Sequence, residues 1–140
     1  MTKSLGDYEI DTDPTRLQFD RVHGWLTNSY WCPGIPLERV ERAAKGTTMV
    51  VAVYKDEEQV AYMRVISDKT TFAWVCDVFV AEEHRKKGIA HAMVQFALDH
   101  PEFQGLRRWL LATKDAHDIY ESCGFIPLPN PERWMSRPGN

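Results

Sequence analysis

The sequence predicts an α/β (α+β) protein with a mixed central β-sheet of about six to seven strands, flanked by about four helices. Two observations lead to this class. Short β-rich runs recur along the 140 residues, and between them apolar residues repeat at the spacing of amphipathic helices. The length and an ordinary globular composition, with 44% hydrophobic and 26% charged residues, predict a single domain over residues 1–140.

The chain is expected to begin with a strand at 8–12 and to continue into a helix. Asp13 and Pro14 are residue types that start helices, as the N-cap and the first helical residue. Several apolar residues that follow share one helical face, which should contact the core. These residues are Phe19, Val22, Trp25 and Leu26.

Residues 28–36 should interrupt this helix, because they contain two prolines and a glycine. The same segment carries two large aromatic residues, Tyr30 and Trp31. A second helix is expected at 37–45, ending at Gly46. Its core-facing residues would be Leu37, Val40 and Ala44.

Two β-rich runs, 48–54 and 59–66, predict a hairpin, since only four polar residues separate them. Alternate residues of the second run should face the same side of the sheet. These are Val60, Tyr62, Arg64 and Ile66. Arg64 would therefore lie among apolar side chains, where a guanidinium needs an anionic partner. That partner is either Asp77, in the next strand, or a carboxylate of a substrate.

A strand at 71–81 is expected to lead through a basic turn into a helix that starts near residue 89. Gly88 in this turn allows the backbone to approach a ligand closely, and the start of a helix has unpaired N–H groups. Such a position attracts phosphate. The residues of the turn are Arg85, Lys86, Lys87, Gly88, Ile89 and Ala90.

The last third of the chain predicts one strand at 106–112, a short helix around Tyr120, and a final pair of strands. The pair would consist of 124–128 and 133–136, joined by a proline-rich turn.

Charge and cysteine content exclude several functions. A net charge of −3 argues against nucleic acid as a partner, so the basic turn is interpreted as a local anion site.

No apolar run approaches the roughly 18 residues of a membrane span. Without a signal-peptide pattern, the protein is expected to be cytoplasmic, with no membrane partner. Its three separated cysteines and five histidines have no metal-ligand spacing, so reduced thiols and no metal are expected.

The strand, basic turn and helix resemble motif A of the GNAT N-acetyltransferase superfamily, which reads Gln/Arg-x-x-Gly-x-Gly/Ala. Its fixed positions are filled by Arg85, Gly88 and Ala90. The resemblance implies that backbone amides of the turn hold the pyrophosphate of acetyl-CoA, and that the preceding strand pairs with the pantetheine arm. The cofactor-binding residues so implied are Val78, Phe79, Val80, Arg85, Lys86, Lys87, Gly88, Ile89 and Ala90.

Residues 112–125 resemble motif B of the same family, through Ala116, Tyr120, Gly124 and Phe125. The resemblance implies that Tyr120 donates a proton to the CoA thiolate; the alternative is a tyrosine that only packs under the Gly-Phe turn. Thr113 stands where many relatives have an asparagine that contacts pantetheine, and its hydroxyl could make one such bond. In this family a backbone N–H of the central strand, here near Val78, commonly stabilises the oxyanion.

The acceptor side is less defined by the sequence. Asp77 could anchor an amine, act as the general base, or pair with Arg64, and in some relatives the base lies one position earlier, at Cys76 here. His117 is another base candidate, with a surface position as its alternative. The family resemblance places Tyr30 and Trp31 in the wall of the acceptor pocket.

The resulting hypothesis is an acetyl-CoA-dependent N-acetyltransferase that acts on a small-molecule amine by direct transfer, with Tyr120 and Asp77 as catalytic residues. Arg64 and Asp77 together would favour a zwitterionic acceptor. Two alternatives remain: a protein or peptide N-acetyltransferase, and a non-catalytic acyl-CoA-binding regulatory protein. Small relatives often form homodimers through terminal strands, and Trp134 could serve such an interface.

Overall fold

The structure is a computed structural model that describes residues 1–139. The strands are β1 (Thr2–Leu5), β2 (Tyr8–Asp11), β3 (Met49–Lys55), β4 (Glu58–Ser67), β5 (Phe72–Val80) and β6 (Arg108–Leu110). The α-helices are α1 (Phe19–Thr27), α2 (Leu37–Gly46), α3 (Ile89–Asp99) and α4 (His117–Glu121). One mixed sheet with the order β1-β2-β3-β4-β5-β6 contains all six strands, and only β5 and β6 are parallel. The predicted α/β class is confirmed.

Two apolar clusters cover the two faces of the sheet. On one face α3 places Met93, Val94 and Ala97 against β3, β4 and β5. On the other face α1 and α2 contribute residues that the helical pattern predicted, among them Val22 and Val40. None of the helices in the described residues is long and apolar enough to cross a membrane.

The N-terminal region differs from the prediction in two ways. A strand at 2–5, with a mostly exposed and polar sequence, pairs with β2 and was not predicted. Asp13 does cap a helical turn, since its carboxylate accepts a hydrogen bond from the Thr15 N–H at 2.9 Å. The turn is a 3₁₀ helix, Pro14–Arg16, and Leu17 ends it in an extended conformation with its side chain buried. The α-helix therefore begins only at Phe19.

The predicted common face of β4 is wrong at Val60. An extra residue in β4 shifts the register next to Val53 and Tyr54, and Val60 changes sides there. The second shift, between Tyr62 and Arg64, comes from an extra residue in β5, so the sides that the β4 residues face do not change at that point. Val60 packs in the α3 cluster, whereas Tyr62 packs in the α1–α2 cluster. Ile66 is 42% exposed, and Leu37, predicted to face the core, is 41% exposed.

The predicted final strand pair is absent from the described residues. The segments 124–128 and 133–136 have no ladder partners, and a 3₁₀ helix, Pro131–Arg133, follows Asn130 in a left-handed conformation. Prolines at 127, 129 and 131 lack the N–H that strand pairing requires, which opposes the β propensity of their neighbours. The outer edge of β6 therefore has no neighbouring strand in residues 1–139.

Candidate active site

A cleft opens where β5 and β6 separate. The two strands pair only from Phe72 to Trp74 on β5, and beyond this point a cavity of about 330 Å³ lies between β5 and the segment after β6. The cavity brings together residues that the sequence placed in different roles. Among its lining residues are Tyr30, Trp31, Cys76, Val78, Thr113 and Tyr120.

A β-bulge at Asp77 shapes the β5 side of this cleft. Tyr62 of β4 is opposite Phe79, and Arg64 is opposite Cys76, so one residue of β4 faces two residues of β5. Asp77 has a φ of 54°, which is unusual for a residue other than glycine. Such bulges bend a strand and leave a residue outside the ladder. Asp77 and Val78 have no register partners on β4, as expected for the two residues of a bulge.

The Asp77 carboxylate is bound on both oxygens. Arg64 Nε donates to Oδ2 at 2.7 Å, and the indole N–H of Trp31 donates to Oδ1 at 2.9 Å. The two charged side chains are only 15% and 11% exposed. Arg64 Nη1 also donates to Thr47 Oγ1 at 2.9 Å. Of the partners considered for Arg64, Asp77 is the one in contact with it.

The positive charge of Arg64 is maintained although its side chain is mostly buried. Burial lowers the pKa of Arg64, but the negative charge of Asp77 raises it, and the net result is a pKa above the usual value. Burial also raises the pKa of the nearby Cys76 thiol to about 11, so this thiol is protonated at neutral pH. A neutral thiol is a poor proton acceptor, so Cys76 is not suited to act as a base at neutral pH.

Tyr120 lies in α4 with only 8% of its surface exposed. Its ring is perpendicular to that of Phe125, with 6.1 Å between centroids, and its carbonyl accepts the Phe125 N–H at 3.0 Å. Burial, with a smaller effect from Tyr30, raises the pKa of Tyr120 to about 12. The residue therefore packs under the Gly-Phe turn and also lines the cleft as a protonated phenol, so the two alternatives for it are compatible.

The basic turn has the conformation that an anion site requires. Lys86 and Gly88 both have positive φ, 62° and 76°, and Gly88 is the N-cap of α3. No side chain caps this helix start, so its first N–H groups are available. A Cβ added at Gly88 would meet no atom within 4 Å, which leaves room for a phosphate to approach the backbone.

Arg85 and Phe79 hold the end of β5 against this turn. Arg85 Nε donates to the Val80 carbonyl at 3.0 Å, and the guanidinium lies 5.2 Å from the Phe79 ring centroid. The Phe79 ring also stacks on the ring of Trp25 in α1, with 5.4 Å between the ring centroids. The side chain of Phe79 therefore faces α1, and its predicted pairing with pantetheine would use the backbone.

Several remaining candidates have other contacts. Thr113 Oγ1 accepts a hydrogen bond from the Ala116 N–H at 3.1 Å, so its hydroxyl stabilises the start of α4. His117 is exposed on α4, as its surface alternative predicted. Within residues 1–139 no cluster of three or more His, Cys, Asp or Glu side chains could hold a metal ion.

Two groups that hold side chains of the site in place were missed by the sequence analysis. Thr47, the partner of Arg64, follows α2 and has no sequence feature that distinguishes it from other threonines. The backbone N–H of Lys114 donates to the Tyr30 hydroxyl at 2.9 Å, a contact between residues 84 positions apart. The sequence signal for this contact was the pair of adjacent aromatic residues, Tyr30 and Trp31, in a segment that contains prolines.

The fold and the cleft agree with comparisons to known proteins. The sequence profile of the Acetyltransferase (GNAT) family matches residues 8–125. A candidate acetyltransferase from Gibberella zeae is 29% identical, with 82% of this chain and 76% of that protein covered. A crystal structure of a GNAT-family candidate acetyltransferase from Xanthomonas campestris pv. campestris is 39% identical, with a TM-score of 0.91 over 97% of this chain and 96% of that chain.

More distant structures share the fold alone. Glucosamine-6-phosphate N-acetyltransferase from Arabidopsis thaliana superposes with a TM-score of 0.68 at 16% identity, over 95% of this chain and 99% of that chain. In this chain the sheet opens between its two parallel strands, and the strand on one side of the opening leads into a helix with an uncapped start. This chain belongs to the GNAT family of acetyltransferases, and it is an acyltransferase.

Proposed function

We propose that this protein is an acetyl-CoA-dependent N-acetyltransferase that transfers the acetyl group directly to the primary amine of a small molecule. The observation that carries the proposal is the cleft between β5 and β6. It combines a protonated, buried Tyr120 with the backbone of the Asp77 bulge, and the anion-binding turn follows the same strand. Acetyl-CoA supplies an activated thioester and a pyrophosphate, and the residues fit both groups.

Each residue has a defined part in this proposal. The amides of Lys86 to Ala90 bind the pyrophosphate, and the backbone from Val78 to Val80 aligns the pantetheine arm. The backbone N–H at Val78 stabilises the developing oxyanion. Tyr120 donates its proton to the departing thiolate, since a phenol of raised pKa is fully protonated at neutral pH.

Arg64 and Asp77 define the acceptor in this proposal. A guanidinium has five N–H donors, of which Asp77 and Thr47 each occupy one. The remaining donors suit a carboxylate of the acceptor, and the Asp77 carboxylate suits its ammonium group. Asp77 then takes a proton from this ammonium, so that the neutral amine attacks the thioester carbonyl and the thiolate leaves with the proton of Tyr120. We therefore propose an acceptor with both groups, such as an amino acid.

The test is release of free CoA thiol from acetyl-CoA in the presence of amines, amino acids and aminophosphonates. We expect turnover with acceptors that carry an anionic group. For such an acceptor, Arg64→Ala should raise KM about 10-fold or more, because a charge-assisted contact is lost. Arg64→Lys is the control, because it keeps a positive charge beside Asp77, which Arg64→Ala would leave without its charged partner.

An unchanged KM in Arg64→Ala would refute the proposal that Arg64 binds an anionic group of the acceptor. No turnover with any small amine, while acetyl-CoA still raises the Tm, would favour the alternatives, a protein acceptor or a non-catalytic acyl-CoA binder.

We also propose that two copies associate through the free edge of β6. An unpaired strand edge tends to bind another chain. A groove of about 1100 Å³ lies beside β6, and the C-terminal segment next to it exposes Ile126 by 71% and Met135 by 97%. Sedimentation equilibrium should give twice the 16.2 kDa of one chain. A monomer at all concentrations up to roughly 100 μM, well above typical dimer affinities, would contradict this.

A further inference from the structure

Tyr30 and Trp31 connect the two sides of the cleft. The indole N–H of Trp31 donates to Asp77 Oδ1 on β5 at 2.9 Å. The hydroxyl of Tyr30 accepts the backbone N–H of Lys114, after β6, at 2.9 Å. The two rings contact each other edge to face, with 5.0 Å between centroids. Trp31 is thus fixed to β5 and Tyr30 to the segment after β6, and both residues line the cavity.

These contacts hold side chains that are poorly buried. Tyr30 is 49% exposed and Trp31 is 41% exposed, so little apolar area fixes either ring. The Lys114 ammonium lies 5.5 Å from the Tyr30 centroid and adds a second contact on that side. The Trp31 side is therefore held mainly by one hydrogen bond at the tip of the indole.

The two partners of Asp77 differ in kind. Arg64 is charged, mostly buried and fixed by Thr47, whereas Trp31 is a neutral donor on an exposed loop. Both donors form charge-assisted hydrogen bonds with the carboxylate, but an ammonium group adds the attraction of opposite charges, which the neutral indole lacks. A cationic ligand can therefore replace the indole at Oδ1 and leave the Arg64–Asp77 pair intact. The released indole N–H would be bound by water at little cost, since Trp31 is already partly exposed.

We propose that Trp31 occupies, in the free enzyme, the position of the acceptor ammonium group on Asp77, and that acceptor binding exchanges the indole for this ammonium. The inference rests on the proposed function, because it assigns the acceptor amine to Asp77. Trp31 is then a specificity-determining residue. It excludes neutral ligands that cannot displace it, and it admits primary ammonium groups. Tyr30 keeps the loop attached to Lys114 during the exchange.

The exchange predicts that a substitution in the site lowers the KM of the acceptor. Trp31→Phe keeps an aromatic ring but removes the competing N–H, so the acceptor KM should fall by about 3- to 10-fold. A residue that only supports the pocket would raise KM when it is changed. A KM that rises or stays constant in Trp31→Phe would overturn the proposal.

A binding measurement that needs no turnover uses n-butylammonium as the probe. The Trp31 emission is obtained as the difference between the wild-type and Trp31→Phe spectra, because the chain has five tryptophans. We expect a saturable change with n-butylammonium chloride, and no change with n-butanol or with equal concentrations of sodium chloride. Asp77→Asn should abolish the response, since its amide still accepts the indole N–H but does not attract an ammonium. Trp134→Phe, which changes another exposed tryptophan, should retain it.

The outcomes separate this proposal from the proposed function. An ammonium-dependent Trp31 signal without any acetyl transfer would support the exchange and refute the acetyltransferase assignment of the acceptor site. Acetyl transfer with a Trp31 signal that ammonium does not change would refute the exchange alone.

Discussion

Tyr120→Phe is expected to lower kcat for acetyl transfer by about 10²- to 10³-fold, the usual contribution of a positioned general acid. The affinity for acetyl-CoA should be retained, because the ring and its contact with Phe125 remain. The two quantities are measured by thiol release under saturating acceptor and by calorimetric titration with acetyl-CoA. A silent acyl-CoA binder would show the same titration and no turnover to lose.

Tyr54→Phe is the matched control for this variant. Tyr54 is also a buried tyrosine, and burial raises its pKa to about 12, but it lies under Arg16 and away from the cleft. Its change to phenylalanine should leave kcat within about twofold, since no proton is transferred there. Equal losses in both variants would mean that the loss in Tyr120→Phe comes from packing and not from proton donation.

The pH dependence of the wild-type rate follows from the same burial. Since the pKa of Tyr120 is raised to about 12, the phenol keeps its proton as the pH rises beyond 10, the usual value for tyrosine. A fall of kcat between pH 8 and 10 would therefore belong to another group. Burial therefore keeps the proton on Tyr120 over the pH range in which the amine is neutral.

The sequence predicted the parts of the fold that depend on local patterns. The β3–β4 hairpin follows from two apolar runs around a polar turn, and Asp56 and Glu57 adopt the positive φ of a two-residue turn. The start of α3 and the turn at Gly88 were predicted because a single glycine and the change from strand to helix determine them. Strand β1 was missed because its mostly polar residues do not alternate with apolar ones.

The candidate site could be predicted only in part, because its geometry depends on distant residues. The Asp77 bulge has no sequence signal, since it arises from how β5 pairs with β4. The Trp31–Asp77 contact joins residues 46 positions apart. The sequence could propose three roles for Asp77, and the fold brings two donors, Arg64 and Trp31, to its separate oxygens. Residue types therefore indicated the chemistry, and topology decided which groups meet.

Gly88→Ala is expected to weaken acetyl-CoA binding about 10-fold or more, which corresponds to roughly 1.4 kcal/mol. A methyl group at φ 76° opposes the left-handed conformation, and it also occupies the open space in which a phosphate would approach the amides. The dissociation constant is measured by calorimetry, and the free energy of unfolding by urea denaturation. Both measurements are needed because backbone strain lowers the free energy of unfolding, whereas obstruction of the site raises the dissociation constant of acetyl-CoA.

Gly105→Ala separates these two effects. Gly105 precedes β6, has a φ of 78°, and would also place a new Cβ where no atom lies within 4 Å. Both variants should therefore lose a similar free energy of unfolding, about 1–2 kcal/mol, from the left-handed conformation. Only Gly88→Ala should lose acetyl-CoA affinity, because only Gly88 starts the helix whose free N–H groups we propose as the pyrophosphate site. If the two variants bound acetyl-CoA equally well, the turn at 85–90 would not be the phosphate site.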